Sequence, residues 1–431
     1  MTFDQAIDYI TKALKFGINP GLEKISAACS ALGRPQERYP VIQITGTNGK
    51  TSTARMAAAV LREHGFKVGL YTSPHLSSYT ERIAVNGVEI DEEDFAAAVS
   101  AVKPVLDQVS ARMGELTEFE ILTAAALNHF AVGQVDAAIL EVGLGGRWDA
   151  TSVSRPKISI VTNVDLDHAD RLGNSIRKIA WDKAHIIKED SVAIGGDLMP
   201  EALAQIESRC RAVDAELRLF GKDFRILDSL TIDRCAIVSI EGIFGIYRGL
   251  NLKVLGEFQR INAAVAIAAC EAFVEGPLLE SGIAKALSEV LCPGRMEIIS
   301  YEPVVLVDGA HNPAGMRELI SSLKESYGGS RLVVVLSVSS DKDLEGILSV
   351  LAPSVDRLIL TQNKSYRSAS VAELASSAGS IPCETEPDMS KAIERGLECA
   401  NGGIVVVTGS LYAVGEARDI WAARATGTMV P

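Results

Sequence analysis

Residues 44–52 read ITGTNGKTS, a glycine-rich turn between the apolar run 40–44 and the helix-like stretch 51–64. A strand, turn and helix in that order aim backbone N–H groups and the positive end of a helix dipole at a polyphosphate. Thr47, Asn48 and Gly49 would form the cradle and Lys50 would meet the terminal phosphates, while Thr51 or Ser52 offers a hydroxyl to an accompanying Mg²⁺. The spacing from Gly46 to Lys50 is one residue shorter than G-x-x-x-x-G-K-[ST], which indicates an ATP-using class of its own.

Other reactive groups follow apolar runs in the same way. Glu141 closes the run 137–141 ahead of the turn 143–146, a position from which a carboxylate holds the Mg²⁺ of ATP directly or through water. His168 ends the segment 163–168 after another such run and is a second metal candidate, with Asp165 and Asp167 placed to orient it. Segment 181–188, WDKAHIIK, reads as a helix with its apolar face inward, so pattern alone leaves Lys183 and Lys188 in water. Residues 71–82 are too rich in side-chain donors for a simple hairpin and suit a loop that covers substrate. Farther on, Asp308, His311 and Pro313 join an acid, a glycine turn and a histidine just before a helix start, suited to fixing a ribose and a second substrate. Arg295 is placed to approach phosphates, although a lone arginine equally suits a surface ion pair.

The elements that must position these groups are those of two α/β domains. Strand-like runs at 41–45, 68–72, 137–142, 158–163 and 192–195 alternate with helical patterns, the signature of a mostly parallel sheet covered on both faces. Residues 215–256 have shorter segments, including 234–240 and 244–249, and read as a small antiparallel insertion. Helical patterns return at 259–274 and 279–290. A second series of strand-like runs follows at 304–307, 331–337, 357–361 and 404–408, so the expected division is 1–296, an ATP-binding phosphate-loop domain, and 297–431, a Rossmann-like α/β domain. In both halves polar residues cluster just after the strands, where open parallel sheets bind ligands. Two such sites facing one another would make a two-substrate enzyme.

Bulk properties narrow the class. The 431 residues exceed what one core organises, and 47% hydrophobic with 23% charged residues describes an ordinary globular protein. A formal charge of −13 argues against nucleic acid or an anionic membrane as partner. No apolar run reaches the roughly 18 residues of a membrane span, and the opening MTFDQAIDYI lacks the character of a secretion signal, which points to the cytoplasm. The seven cysteines form no C-x-x-C pair, so reduced thiols are expected rather than a disulfide framework or a zinc cluster.

Taken together, these motifs resemble the folylpolyglutamate synthase and dihydrofolate synthase branch of the Mur ligase superfamily. The match runs nearly end to end: ITGTNGKTS, SPHLSSYTERI at 73–83, LTEFEILTAAA at 116–126, EVGLGGRWDAT at 141–151, DLDH at 165–168, WDKAHIIK at 181–188, GEFQRINAA at 256–264, PGRMEII at 293–299, VDGAHNPAG at 307–315, SSDKD at 339–343 and TGSLYAVGE at 408–416. The resemblance implies an ATP-dependent ligase that adds L-glutamate to a folate or dihydropteroate carboxylate through an acyl phosphate, releasing ADP and phosphate. It implies two Mg²⁺ held by Ser73, Glu141 and His168, and ATP contacts from Asn262 and Arg295, with Asp308 at the ribose. Lys183 matches the lysine found carbamylated in this superfamily. Segment 73–87 would close over the pterin substrate and Phe119 would contact its ring, with Pro74, His75, Arg82, Arg147 and Asp149 also at the substrate and His311 and Ser410 at the glutamate. Members are commonly monomers. Thr51 stands where many folate ligases have glycine, a change closer to the cell-wall branch.

The nearest rival is a Mur-type ligase adding an amino acid to a cell-wall nucleotide precursor, but such enzymes carry a further N-terminal domain and only 44 residues precede Thr45. A catalytically idle nucleotide- or folate-binding protein is the other rival, opposed by the joint retention of Lys50, Glu141, His168 and His311.

Overall fold

The computed structural model describes residues 1–14, 17, 20–232 and 235–425. The described chain forms two compact units, the first comprising Met1–Leu230, Ile237–Asn251 and Arg260–Val290, the second Thr231–Ala236, Leu252–Gln259 and Leu291–Pro431.

In the first unit an eight-stranded sheet runs in the order Val88–Glu89, Ile83–Val85, Val68–Tyr71, Ala137–Glu141, Val41–Thr45, Ile158–Val161, Val192–Gly195 and Glu216–Leu219. Its inner strands are buried at every residue, as the continuous apolar runs require of a sheet covered on both faces. Val41–Thr45 lies between Ala137–Glu141 and Ile158–Val161, parallel to both, with Ile44 opposite Glu141 on one side and Ile160 on the other. The chain builds the sheet first to one side of this strand and then to the other, which opens a crevice at the strands' carboxyl ends. The helix Lys50–Glu63 starts directly behind the strand. Helix Glu118–Val132 begins with a capping box in which Thr117 and Glu120 satisfy one another's backbone N–H groups. A core including Phe95, Leu106, Leu122 and Phe130 supports the helices on this side.

The second unit holds a six-stranded sheet in the order Glu297–Tyr301, Val304–Asp308, Ile404–Thr408, Leu332–Leu336, Arg357–Leu360 and Glu384–Thr385. Only the first of these pairs antiparallel. Asp308 is in register with Thr408, so the segments carrying His311 and Ser410 leave adjacent strand ends.

The expected fold class, a mostly parallel phosphate-loop sheet followed by a Rossmann-like unit, is borne out. Several details differ. Glu216–Leu219, expected in the insertion, pairs parallel with Val192–Gly195 because helix Pro200–Ala212 supplies the crossover. The insertion is a three-stranded sheet of Arg225–Ile232, Cys235–Glu241 and Ile246–Leu252. Arg234, the first residue of the expected segment 234–240, lies outside the described residues. The donor-rich segment after Tyr71 ends in a short 3-10 turn, Tyr79–Arg82, that leads into the strand Ile83–Val85 and then the edge strand Val88–Glu89. All seven cysteines are free thiols, four of them buried. No described helix is long and apolar enough to cross a membrane.

Candidate active site

The phosphate loop is shaped by its neighbours as much as by its glycines. Gly46 has φ +154° and Gly49 has φ +82°, a backbone that side chains rarely adopt, and a Cβ on Gly46 would overlap the Thr162 hydroxyl. That hydroxyl instead donates to the Asn48 carbonyl at 2.6 Å. The Asn48 N–H donates to Asn163 Oδ1 at 2.9 Å, and Thr47 Oγ1 accepts from Asp165 N at the same distance. A Cβ on Gly49 would meet the amide of Asn262, a buried side chain on helix Glu257–Val274. Thr162 and Asn163 therefore hold the loop's form, roles that sequence reading missed; the signal was their place directly after the strand Ile158–Val161.

Two ammonium groups converge on this loop. Lys50 Nζ donates to the carbonyls of Gly46 and Thr47 at 2.9 and 3.1 Å, and Lys183 Nζ donates to the same Gly46 carbonyl at 2.9 Å. The expectation that Lys183 is solvated is therefore corrected: it is only 4% exposed. Lys183 ends helix Ile176–Lys183, and the tertiary packing of that last turn carries its amine to a carbonyl 137 residues away. Burial first, and the Lys50 charge second, push its pKa down to about 7, against the opposing pull of Asp182, Asp167 and Asp149. At neutral pH a large share of such an amine is uncharged and nucleophilic. Lys188, the other lysine expected in water, is half-buried.

Glu141 lies across the loop, 1% exposed, and accepts from Thr51 Oγ1 at 2.8 Å and from the Ser73 N–H at 3.2 Å. The unusual Thr51 thus spends its hydroxyl on Glu141. Ser73 Oγ is buried with no hydrogen-bond partner, and so is Ser52 Oγ. A buried hydroxyl oxygen left unsatisfied beside a buried carboxylate suits a hard cation, which takes oxygen ligands. His168 stands in the next strand-end loop with φ +51°, its Nε2 4.0 Å from Asp167 Oδ1. Among the described residues no three of His, Cys, Asp and Glu gather as a metal cage. The candidate set differs by including a serine.

The remaining first-unit candidates divide. Arg82 is buried, donates from Nε to His75 Nδ1 at 2.9 Å, and pairs with Glu118 at 3.3 Å. His75 stacks on Tyr79 at 4.3 Å, and Pro74 beside it is exposed. Burial, with Arg82 adding to it, pushes the His75 pKa from 6.5 to about 4, so the ring is neutral and its Nδ1 is an acceptor. Phe119 packs 5.8 Å from the Tyr71 ring and beneath Gly143, where a Cβ would strike it. Asp149 turns inward: it accepts from the N–H groups of Gly143, Leu144 and Thr151 and from the Thr151 hydroxyl, and so pins the turn itself. Burial raises its pKa against those hydrogen bonds. Arg147 follows the turn between two tryptophans.

In the second unit Asp308 is buried and accepts from Met296 N and Ala310 N, both at 2.8 Å; burial raises its pKa and the Arg295 charge opposes the rise. Arg295 donates to the Gly294 carbonyl at 3.1 Å. His311 Nδ1 lies 2.8 Å from the Gly309 carbonyl, which fixes the ring, and Ser410 Oγ accepts from Tyr412 N.

Comparison with known proteins shows the chain's family. Residues 44–270 match the Mur ligase middle domain and residues 294–411 the Mur ligase, glutamate ligase domain. The dihydrofolate synthase/folylpolyglutamate synthase of Mycobacterium tuberculosis is 35% identical over 94% of this chain and 90% of its own length. The structure of Mycobacterium tuberculosis folylpolyglutamate synthase complexed with ADP matches with a TM-score of 0.94 and 34% identity, covering 97% of this chain and 98% of that one. E. coli FolC in complex with DHPP and ADP matches at 0.89 and 30% identity, covering 99% of both chains.

Two outcomes follow from the local geometry. Gly46→Ala must displace Thr162 and strain the backbone, so it should destabilise the protein by at least about 1 kcal/mol in urea unfolding; an unchanged midpoint would contradict the packing described. Because His75 titrates lower when folded than its ordinary 6.5, the unfolded chain takes up the proton first as pH falls. Wild type should therefore lose thermal stability between about pH 6.5 and about pH 4 more steeply than His75→Gln, with no difference in slope above pH 7. Parallel curves would show that the ring is not held neutral.

Proposed function

The chain belongs to the dihydrofolate synthase/folylpolyglutamate synthase family of Mur ligases, and from that premise we propose that it joins the amine of L-glutamate to the carboxylate of a folate or dihydropteroate, using ATP. The observation that carries the reading is the convergence of Lys50 and Lys183 on the phosphate loop opposite Glu141. The Lys50 ammonium beside the glycine-rich turn, with the Lys183 amine next to it, suits the terminal phosphates of ATP.

The reaction must bring an acceptor carboxylate to a triphosphate, where like charges at roughly 4 Å repel by about 4 kcal/mol at an effective dielectric near 20. Lys50 lowers that repulsion and leaves the γ-phosphorus open to attack. A carboxylate oxygen bonds to it, the bond to the ADP oxygen breaks, and an acyl phosphate results. The amine of L-glutamate then attacks the acyl carbon, phosphate leaves, and the amine's proton passes to solvent. Holding the groups aligned for both transfers is worth roughly 7 to 11 kcal/mol.

Ser73, Glu141 and His168 would hold two Mg²⁺, which when bound supply charge neutralisation on the phosphate oxygens; the orphaned Ser73 oxygen supports that assignment. The low pKa of Lys183 leaves a neutral amine able to take up CO₂ as a carbamate, in keeping with the superfamily resemblance. Thr47 to Ser52, Asn262 and Arg295 are assigned to ATP, Asp308 to its ribose, His311 and Ser410 to glutamate, and Pro74, His75, Arg82, Phe119, Arg147 and Asp149 to the acceptor's surroundings. Residues 1–296 are taken as the ATP-binding domain and 297–431 as the glutamate-ligase domain. The protein is proposed to work as a monomer in the cytoplasm.

Phosphate release from ATP should require both L-glutamate and a folate, tested with dihydropteroate and with tetrahydrofolate. Activity with both assigns a bifunctional synthase and activity with one assigns that step; silence with both contradicts the proposal. Lys50→Ala and Glu141→Ala should each lower turnover by at least about 100-fold while thermal melting shows a folded protein. Near-normal activity in either variant would overturn the phosphate and metal assignments.

A further inference from the structure

Arg155, Lys188 and Arg209 gather at the end of the first unit's sheet that is remote from the phosphate loop. Strands Ile158–Val161 and Val192–Gly195 run parallel to Val41–Thr45 and to one another. Residues 155–157 and 188–191, which lead into them, therefore lie at the strands' amino ends, roughly 15 Å of strand from the carboxyl ends that carry the loop. Arg155 stands on the first of these segments and Lys188 on the second, and the two segments are tied where Val192 N donates to the Lys157 carbonyl at 3.0 Å. Arg209, in the last turn of helix Pro200–Ala212, donates from Nε to the Ile187 carbonyl at 3.0 Å, which brings its guanidinium beside the Lys188 backbone. The turn that carries Lys188 is closed by Ser191, whose hydroxyl accepts from Lys188 N at 3.3 Å and donates to the Lys188 carbonyl at 2.9 Å.

Neighbouring cations each have a carboxylate, Lys157 with Glu275 at 2.7 Å and Arg211 with Glu207 at 3.8 Å, whereas among the described residues no carboxylate lies within ion-pair distance of Arg155, Lys188 or Arg209. Glu189 and Asp190, next in the chain after Lys188, are exposed and pair with none of the three. The negative end of a helix dipole accounts for arginines in the last turn of Pro200–Ala212, but not for Arg155 and Lys188, which stand on other segments. Lys188 and Arg209 are half-buried, and burial, with the Arg209 and Arg155 charges adding to it, lowers the Lys188 pKa from its ordinary value. In a chain of net charge −13, cations left to repel one another carry a cost that a bound anion removes. We infer that Arg155, Lys188 and Arg209 form a second anion site, separate from the phosphate loop, that takes a phosphate group. Two guanidinium forks and an ammonium match the oxygens of a tetrahedral dianion, whether free phosphate or the phosphate of a nucleotide. A phosphate there ties down the segment leading into strand Ile158–Val161, beyond whose other end Thr162 and Asn163 hold the phosphate loop.

The test titrates inorganic phosphate calorimetrically into the Lys50→Ala protein, which lacks the phosphate-loop ammonium, with ionic strength held constant by chloride. One phosphate should bind per chain. Adding Arg155→Gln or Lys188→Gln should weaken that binding by at least about tenfold, while adding Arg211→Gln, which removes a paired cation from the same helix end, should leave it unchanged. Each protein is checked for folding by thermal melting, and because Arg155 is exposed its variant serves even where Lys188→Gln does not fold. AMP is titrated in the same way. AMP binding that Arg155→Gln weakens assigns the site to the phosphate of a nucleotide, and phosphate binding with AMP refused assigns it to the free ion. The absence of saturable binding by either anion, an affinity unmoved by Arg155→Gln, or an equal loss in Arg211→Gln overturns the site. The readout is binding and not turnover, so failure of the ligase reading would leave this result standing.

Discussion

Two lysine ammonium groups share one carbonyl oxygen, that of Gly46, and much of the first unit is arranged around that arrangement. Each Nζ lies 2.9 Å from the oxygen, so the charges are within about 6 Å of one another, where like charges repel by about 3 kcal/mol at an effective dielectric near 20. Folding tolerates this because the buried partner yields: Lys183 gives up much of its affinity for a proton. A polyanion on the loop would turn the repulsion into attraction.

The other features of the site follow from holding that loop still. Thr162 and Asn163 bond to Asn48 and Asp165 bonds to Thr47, all three from just beyond one strand, and Thr51 and Ser73 are tied to the buried Glu141 on the neighbouring strand. The sheet register sets these two strand ends on either side of Val41–Thr45. The result is a preorganised electrostatic site, in which donors and charges are fixed before substrate arrives.

The phosphate loop, its strand and its helix were legible in the sequence because glycines at turn positions between an apolar run and a helical pattern leave few alternatives. Glu141 and Asp308 were legible for a similar local reason, each ending a buried strand. Lys183 was not, since its burial depends on a loop 137 residues earlier and no periodicity carries that information. Strand Glu297–Tyr301 was missed because a half-buried edge strand has no clean alternation, and Glu216–Leu219 was set in the wrong sheet for the same reason. Asp149, which the family resemblance sets at the substrate, also has its oxygens on the turn that bears Arg147, a structural role no sequence pattern showed.

The central claim is that the acceptor carboxylate is phosphorylated before glutamate attacks it. The direct measurement is the fate of oxygen: the enzyme is given ATP, L-glutamate and a folate whose γ-carboxylate carries ¹⁸O, and the released phosphate is weighed by mass spectrometry. An acyl phosphate requires one labelled oxygen to pass from the carboxylate into each phosphate. Phosphate without label, formed alongside ligated product, would contradict the mechanism.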